Sequence, residues 1–446
     1  MKPSISKGTR DFLPDEVIRR QFIFDTLRDI FELFDFIPIE TPAIENLQTL
    51  TGKYGEEGDR LLFKILNNGD FMSRVSDDVR MGGSSAELLP QISKRGLRYD
   101  LTVPLARYVV MHQNDLQFPF KRYQMQPVWR ADRPQKGRYQ EFYQCDVDII
   151  GSDALMFEAE LVAVYDQAFH RLQIPVEIKV NNRKILQGIA DVIGAGEKFS
   201  QFTIVLDKLD KIGESGVAKQ FDEMGLSSDQ INLVFELIKE NDIAKLEIAL
   251  NKSETGIKGI EEIKKVKQYL RTQEFNNNII FDWSLARGLN YYTGCIFEVV
   301  SPKVNIGSIG GGGRYDNLTE IFGMPNVSGV GISFGVARIY DVMTELNLFP
   351  DSLEQRTKIL LMAMDEKSHQ YAFECVVKLR HAGINSALYP TAAKLKKQMK
   401  YAHERNIPVV GIIGSNEMEN QRISVKNMDS GEQNDHQMDD LIKLLS

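Results

Sequence analysis

The sequence predicts an α+β protein: a body built on an antiparallel sheet, a mainly helical segment inserted into it, and an α/β domain at the carboxy-terminal end. Three observations carry that prediction. Lys121 to Arg130 and Arg138 to Ile150 read as two strands joined by ADRPQKG, with Pro134 and Gly137 as turn residues. From about Lys184 to Thr272 the pattern is helical and highly charged, as in IKGIEEIKKVKQYL, and strands resume after it. Beyond Arg356, strand and helix patterns alternate as parallel α/β units do.

Pro14 to Asp35 reads as the first helix, because Phe24, Leu27, Phe31 and Phe34 recur at helical spacing and should face a core. Phe36 to Ile39 reads as a strand closed by Thr41-Pro42. Residues 52–99, rich in Gly, Ser and charge, read as strands and loops around an exposed stretch, and a new element starts at Asp100. Ser152 is placed to cap a helix ending near Leu172, and Val176 to Asn181 alternates like a strand. After the inserted segment, strands are expected at Ile279 to Asp282 and Tyr292 to Val300. The glycine run Gly310 to Gly313 leads into Arg314-Tyr315-Asp316, and Gly329 to Met343 reads as a strand entering a helix. Leu346 to Arg356 reads as a linker. The tail then gives KILLMAM, the helix SHQYAFECVVKLRHAG, INSALYP, the helix AAKLKKQMKYAHER and PVVGIIG. The expected segments are therefore 1–183, 184–272, 273–345, 346–356 and 357–446.

The composition sets limits on function. With 446 residues, 43% hydrophobic and 26% charged, the chain has material for a large core and several domains. A net charge of −8, from 54 Lys and Arg against 62 Asp and Glu, argues against a protein that coats a polyanion over its whole surface. It leaves room for local basic patches. From Arg356 onward, 13 basic residues face 11 acidic ones, so the tail is the less acidic part. Cys145, Cys295 and Cys375 are far apart and lack CxxC spacing, and the six histidines are scattered without HExxH. No disulfide framework or zinc site is expected, and a reducing, cytoplasmic setting is. No apolar run reaches membrane-spanning length, and MKPSISKGTRDFLPDE has no apolar signal core.

Strand period alone divides the residues from Arg138 to Ile149 between two faces. Arg138, Gln140, Phe142, Gln144, Asp146 and Asp148 fall on one face; Tyr139, Glu141, Tyr143, Cys145, Val147 and Ile149 fall on the other. The first face is too polar for a core. It reads either as the floor of a site holding an anion and a cation or as a solvent-exposed sheet face, the commoner case for an isolated strand. Arg130, Arg133, Lys136 and Arg138 cluster around the tight loop; guanidinium forks match phosphate oxygens, although charge runs are usually just solvated. In ARGLNYYTGCIFE, Arg287 beside Tyr291 and Tyr292 needs an anionic partner, either a ligand or an internal carboxylate. Neither GxxxxGK[ST] nor GxGxxG occurs, so the glycine run reads as room for close backbone or ligand approach. Gly329, Gly331 and Gly335 precede Arg338 at a strand-to-helix turn, a place that suits a polyphosphate, although a lone Arg there is more often a surface residue.

These segments resemble a known family. PVWRADRPQKGRYQEFYQCDVDIIG is similar to the second signature motif of class II aminoacyl-tRNA synthetases in its histidine-specific form. LARGLNYYTGCIFE resembles the histidine-binding signature of histidyl-tRNA synthetases, VGISFGVARIYDVM the third class II motif and FIPIETPAIE the first. KGTRDFLPDE and GGGRYDNL also match, whereas the class I signatures HIGH and KMSKS are absent. The resemblance runs from residue 7 to about 343, and the tail is similar to the family's anticodon-binding domain.

The resemblance implies a class II synthetase fold: a six-stranded antiparallel catalytic sheet flanked by helices, split into 1–183 and 273–345. It also implies an insertion domain at 184–272 near the acceptor arm and an anticodon-binding α/β domain at 357–446. It implies a homodimer that uses ATP and Mg2+ to join L-histidine to tRNA-His. Arg130 and Arg287 would act on the α-phosphate as the catalytic pair. Arg130, Arg138 and Arg338 would bind ATP, with Arg338 at the γ-phosphate end. Asp100, Thr102 and Gln144 would take the α-amino group of histidine; Asp148 and Tyr292, with Tyr291 beside them, would hold the imidazole. No metal site made of protein side chains is implied. Arg133, Gln135 and Lys136 are placed to reach the acceptor end of tRNA. Lys396, Lys397 and Lys400 share a helix face that is either a contact to the anticodon stem or simply solvated. Two departures stand out: GLN where many relatives have GLD, at Asn290, and GVAR where many have GVER or GLER, at Ala337. The alternative is an inactive paralogue, the regulatory subunit of ATP phosphoribosyltransferase, which usually lacks the anticodon domain.

Overall fold

A computed structural model describes residues 2–52, 55–135, 137–287, 291–350, 353 and 357–446. Among them the chain divides into two compact units, Met1–Leu348 and Phe349–Ser446. Lys136, Asn290 and five residues of the expected linker, 351, 352 and 354–356, lie outside the described residues.

The first unit is built on strands β1 (Ile37–Pro38), β2 (Phe120–Trp129), β3 (Glu141–Ile150), β4 (Glu177–Asn182), β5 (Asn278–Phe281), β6 (Cys295–Val300), β7 (Gly310–Tyr315) and β8 (Gly329–Gly335). They form one sheet in the order β1-β2-β3-β8-β7-β6-β4-β5. From β2 to β4 every pairing is antiparallel; β1 and β5 add in parallel at the two edges. The central six strands are the expected antiparallel sheet.

Helices α1 (Pro14–Leu33), α2 (Thr102–Met111), α3 (Met156–Arg171), α4 (Arg183–Val192), α5 (Glu254–Leu270) and α6 (Val336–Glu345) accompany this sheet. α1 begins with Pro at its first position, where the missing N–H costs nothing. It buries Ile23, Leu27, Ile30 and Phe31. Phe31 meets Phe334 of β8 at 5.6 Å between ring centroids, and Tyr165 of α3 meets the same ring at 4.8 Å. α1, α3 and α6 cover the face on which Cys145, Val147 and Ile149 lie fully buried. The opposite face of the same strands is left for polar side chains.

Several expected elements shift. β3 begins at Glu141 rather than Arg138, because Gln140 N donates to Gly8 O and Arg138 bridges back to Gln135. Ser152 caps no helix: its hydroxyl accepts from Ala154 N within a turn, and α3 starts at Met156. β6 starts at Cys295 rather than Tyr292, Thr293 N being paired with Arg314 O in advance of the strand. Residues 52–99 carry more helix than expected. Asp77–Gly82 and Ser85–Ile92 are helical, the second fixed by a Ser84–Glu87 capping box, beside a small three-stranded sheet.

The inserted segment is helical, as the charged pattern predicts. Asn182, the last residue of β4, caps α4 by accepting from Lys184 N.

The second unit has strands β9 (Ile359–Ala363), β10 (Ser386–Leu388), β11 (Val409–Ile413), β12 (Ile423–Asn427) and β13 (Gln433–His436), in the order β10-β9-β11-β12-β13. Three strands are parallel as expected; β12 and β13 then pair antiparallel, so the sheet is mixed. Helices α7 (Glu366–His381) and α8 (Leu395–Glu404) complete the α/β repeats.

Candidate active site

The polar face of the large sheet is the floor of a cavity of ≈ 460 Å³, a usual volume for a small-ligand site. Phe142, Gln144, Asp146 and Asp148 of β3 all face it, as strand period requires. Tyr139 lines it as well, against the alternation, because the chain before Glu141 is a loop. Gln140 is turned aside, packing on Gly8 and donating to Asp132 O.

One end of the cavity is cationic. Arg130, at the end of β2, donates to Tyr99 O and stacks 4.3 Å from the Tyr99 ring. Arg338, in the first turn of α6, donates to Gly137 O and Ser308 O. Burial, and then the charges of Arg138 and Arg130, push its guanidinium below the usual arginine value. Arg287 lies across β7 so closely that a Cβ on Gly311 would sit 2.4 Å from its Nη1. It pairs with Glu298 of β6 at 3.2 Å. Burial works against its charge, but Tyr292 and Glu298 more than offset that and raise its pKa. Both partners imagined from the sequence are therefore available to Arg287, an internal carboxylate and an open cavity.

The other end is rich in acceptors and aromatic hydroxyls. Asp148 is 3% exposed. Arg122, directly opposite on β2 and fully buried, contacts its Oδ2 at 2.5 Å, and Tyr315 donates to its Oδ1 at 2.6 Å. A carboxylate has about four lone-pair directions, so Asp148 can still accept from a ligand. Burial raises its pKa, and Arg122 opposes the rise. Gly331 lies beneath it: a Cβ there would be 1.8 Å from Asp148 Oδ1. The rings of Tyr291 and Tyr292 stand 4.7 Å apart, and Tyr315 closes on Tyr291 edge-on at 6.4 Å. Burial holds all three phenols above the usual tyrosine pKa, so they stay protonated donors. Asp100 and Thr102 enter from the start of α2, where Asp100 Oδ1 accepts from Val103 N.

The expected residues Arg130, Arg138, Arg287 and Arg338 thus share one cavity with Asp100, Thr102, Gln144 and Asp148, and with Tyr291 and Tyr292. Arg133 and Gln135 do not line it; they are exposed on the neighbouring loop. Lys396, Lys397 and Lys400 are exposed on α8 of the other unit, with Lys400 near Glu404 at 3.5 Å. Sequence reasoning missed Arg122, Ser333 and Glu298, and it placed Asp146 on the site face without a role and gave none to Tyr315. Pairing β2 with β3 across their loop would have put Arg122 opposite Asp148. Nothing local signals Ser333, whose strand arrives from nearly two hundred residues away.

Arginines at one end of a polar antiparallel sheet face, and acceptors for a small zwitterion at the other, are what nucleotide-dependent activation of an amino acid requires; fold and site together define a class II aminoacyl-tRNA synthetase. A family model described as histidyl-tRNA synthetase matches residues 84–339, and one described as anticodon binding domain matches residues 358–446. The chain belongs to the histidyl-tRNA synthetase family. It is 53% identical over 437 residues to a histidine–tRNA ligase of Bacteroides fragilis (strain YCH46), covering 97% of this chain and 96% of that one. It is 52% identical over 446 residues to one from Azobacteroides pseudotrichonymphae genomovar. CFP2, covering 99% and 97%. The crystal structure of histidyl-tRNA synthetase from Nostoc sp. PCC 7120 superposes with a TM-score of 0.83 at 28% identity, over 100% of this chain and 99% of that one.

Proposed function

We propose that this cavity activates histidine with ATP and passes it to tRNA-His. The observation that carries the reading is the cavity's polarity: arginines at one end, and at the other a buried carboxylate among tyrosine hydroxyls. The protein is a histidine–tRNA ligase rather than the regulatory paralogue, in keeping with relatives of that name over nearly the whole chain.

The nucleophile comes with the substrate. The histidine carboxylate is ionised at neutral pH, so the first step needs no general base. A carboxylate oxygen bonds to the α-phosphorus, the bond to the bridging oxygen breaks, and pyrophosphate leaves with the electron pair. The barrier is then mainly charge and positioning. Arg130 and Arg287 act on the α-phosphoryl oxygens, with Arg138 and Arg338 toward the pyrophosphate. Asp100, Thr102 and Gln144 receive the α-ammonium group, and Asp148 and Tyr292, beside Tyr291, pair with the imidazole nitrogens. The terminal ribose hydroxyl of tRNA then attacks the adenylate carbonyl and AMP leaves. A site whose buried polar groups stay unpaired with a wrong side chain discriminates by roughly 10⁴ without editing.

Among the described residues, no group of three or more His, Cys, Asp and Glu is arranged to hold an ion. Mg2+ would enter as the counter-ion that ATP carries. A homodimer belongs to the same reading. Apolar side chains left exposed around FIPIETPAIE support it, Leu33 at 62%, Ile37 at 52% and Ile44 at 47%. A cytoplasmic location suits the three free thiols, and no helix among the described residues is long and apolar enough to cross a membrane. The segments 1–183 and 273–345 form the catalytic part, 184–272 the insertion toward the acceptor arm, 346–356 a linker and 357–446 the anticodon domain. In the same reading Arg133 and Gln135 would contact the acceptor end of tRNA, as Lys136, outside the described residues, is also expected to do, and Lys396, Lys397 and Lys400 would contact its anticodon stem.

Histidine-dependent exchange of pyrophosphate into ATP tests the reading. The wild-type protein is expected to catalyse it, and Asp148→Ala to abolish it. Exchange that is unchanged in Asp148→Ala, or indifferent to histidine, sinks the assignment.

A further inference from the structure

Asp146 lies in the middle of the cavity floor, and no step above uses it. It is 3% exposed and sits between Gln144 and Asp148 on the same strand face. Ser333 of β8 is its direct partner in register. Opposed residues on one face of an antiparallel pair have Cβ atoms about 4.5–5.5 Å apart, within reach of short polar side chains. The Ser333 hydroxyl therefore stands across from the Asp146 carboxyl, and its oxygen accepts from Gln144 Nε2 at 2.8 Å. Gln144 Oε1 and Asp146 Oδ1 are both buried and take no hydrogen-bond partner among the described residues.

We propose that Asp146 and Ser333 form a positioning relay that holds the Gln144 amide with its carbonyl oxygen toward the cavity, as an acceptor for the α-ammonium group of the bound amino acid. This rests on the reading of the cavity as a histidine site and adds the reason Gln144 is oriented correctly.

The logic is a count of hydrogens. A serine hydroxyl has one. An ionised Asp146 can only accept, so it claims that hydrogen. Ser333 then offers Gln144 nothing but lone pairs, and only the amide nitrogen can meet them. The carbonyl oxygen is left on the cavity side. With the relay broken, keeping the carbonyl toward the ammonium leaves the amide nitrogen buried without its acceptor, and turning the amide over loses the hydrogen bond to the ammonium.

The relay is pH-dependent. Burial raises the Asp146 carboxyl to about 7. Arg122 on β2 opposes the rise and Asp148 on β3 and Asp100 before α2 add to it, while the Ser333 hydrogen bond lowers it. Arg98, on the small sheet's side, also feels its charge, and the neutral thiol of Cys145 lies on the other sheet face. Above about 7 the carboxyl is ionised and the relay complete. Once protonated, Asp146 becomes a donor and frees the Ser333 hydrogen for Gln144 Oε1, reversing the amide. A bound ammonium favours the ionised form.

The test compares histidine with 3-(imidazol-4-yl)propionate, its counterpart without the amino group, as competitor in the exchange assay. Ser333→Ala is expected to raise KM for histidine roughly ten- to hundred-fold, the loss of one charge-assisted hydrogen bond. kcat, KM for ATP and inhibition by the des-amino ligand should stay within about threefold, since none of them involves that hydrogen bond. Ser333→Thr keeps the hydroxyl and should restore most of the affinity. In the wild type, KM for histidine should climb below about pH 7 more steeply than in Asp146→Asn, which has no proton to gain. Unchanged KM for histidine in Ser333→Ala, equal losses for both ligands, or parallel pH profiles would overturn the relay. Failure of the wild type to use histidine at all would instead overturn the reading beneath it.

Discussion

Gly311 lacks a side chain where Arg287 crosses β7, and the distances say why: a Cβ would meet Nη1 at 2.4 Å and Cζ at 2.7 Å. Gly311→Ala is therefore expected to push the guanidinium off the strand. Removing one group aimed at transition-state charge costs roughly 10²–10³ in rate. The alanine variant should approach the loss of Arg287→Ala in kcat for adenylate formation, with KM for histidine less affected. Single-turnover measurement decides it, and a Gly311→Ala enzyme with full kcat would mean Arg287 need not lie there. At this scale much was legible. Period 2 along FYQCDVD puts Phe142, Gln144, Asp146 and Asp148 on one face, and the cavity lies on that face. What the sequence hides are partners supplied by other strands. Arg122 meets Asp148 through the β2–β3 register and Tyr315 meets it through β7 and β8, and neither depends on neighbours in the chain.

Among the helices, α4 and α5 cross closely at glycines. A Cβ on Gly188 would lie 2.5 Å from Gly256 Cα, and one on Gly259 2.8 Å from Ile185 N. The IKGIEEIKKVKQYL pattern announced α5 and its buried stripe of Ile260, Ile263 and Val266. It did not announce that Gly256 and Gly259 are contact points, because a glycine in a helix reads only as a weak position. Gly188→Val must force the helices apart or distort them. Overpacking of that kind costs about 1–3 kcal/mol. Urea denaturation should show a lower midpoint, and an unshifted midpoint would argue against so close a crossing. Elements shifted from the sequence reading where a single hydrogen bond, near or distant in the chain, decided them. The Ser84–Glu87 capping box made a helix in a stretch read as loops, and Gln140 N bonding to Gly8 O shortened β3.

At the scale of the whole molecule, the two compact units each carry their own core. In the tail, ILLMA within KILLMAM is an unbroken apolar run because β9 is covered on both faces. Ile359, Leu361 and Ala363 pack with Ala372, Val376 and Leu379 of α7, while Leu360 and Met362 pack with Ala402 of α8 and Val410. Every cavity residue, by contrast, belongs to the unit ending at Leu348. Adenylate formation and tRNA selection should therefore separate physically. A chain cut after Leu348 is expected to retain histidine-dependent pyrophosphate exchange within about tenfold of the full protein, since no group acting on ATP or histidine is removed. Its aminoacylation of tRNA-His should fall much further, because the tail's contribution to RNA binding goes with it. The tail alone, at a length where a single core suffices, should unfold cooperatively in urea. Substituting Lys396, Lys397 and Lys400 with Glu in the full chain should reproduce the truncation's selective loss of aminoacylation, most visibly at low salt, where charge contacts to RNA are strongest. Exchange that disappears with the tail would show that the cavity depends on it, and the separation argued from the two cores would fail.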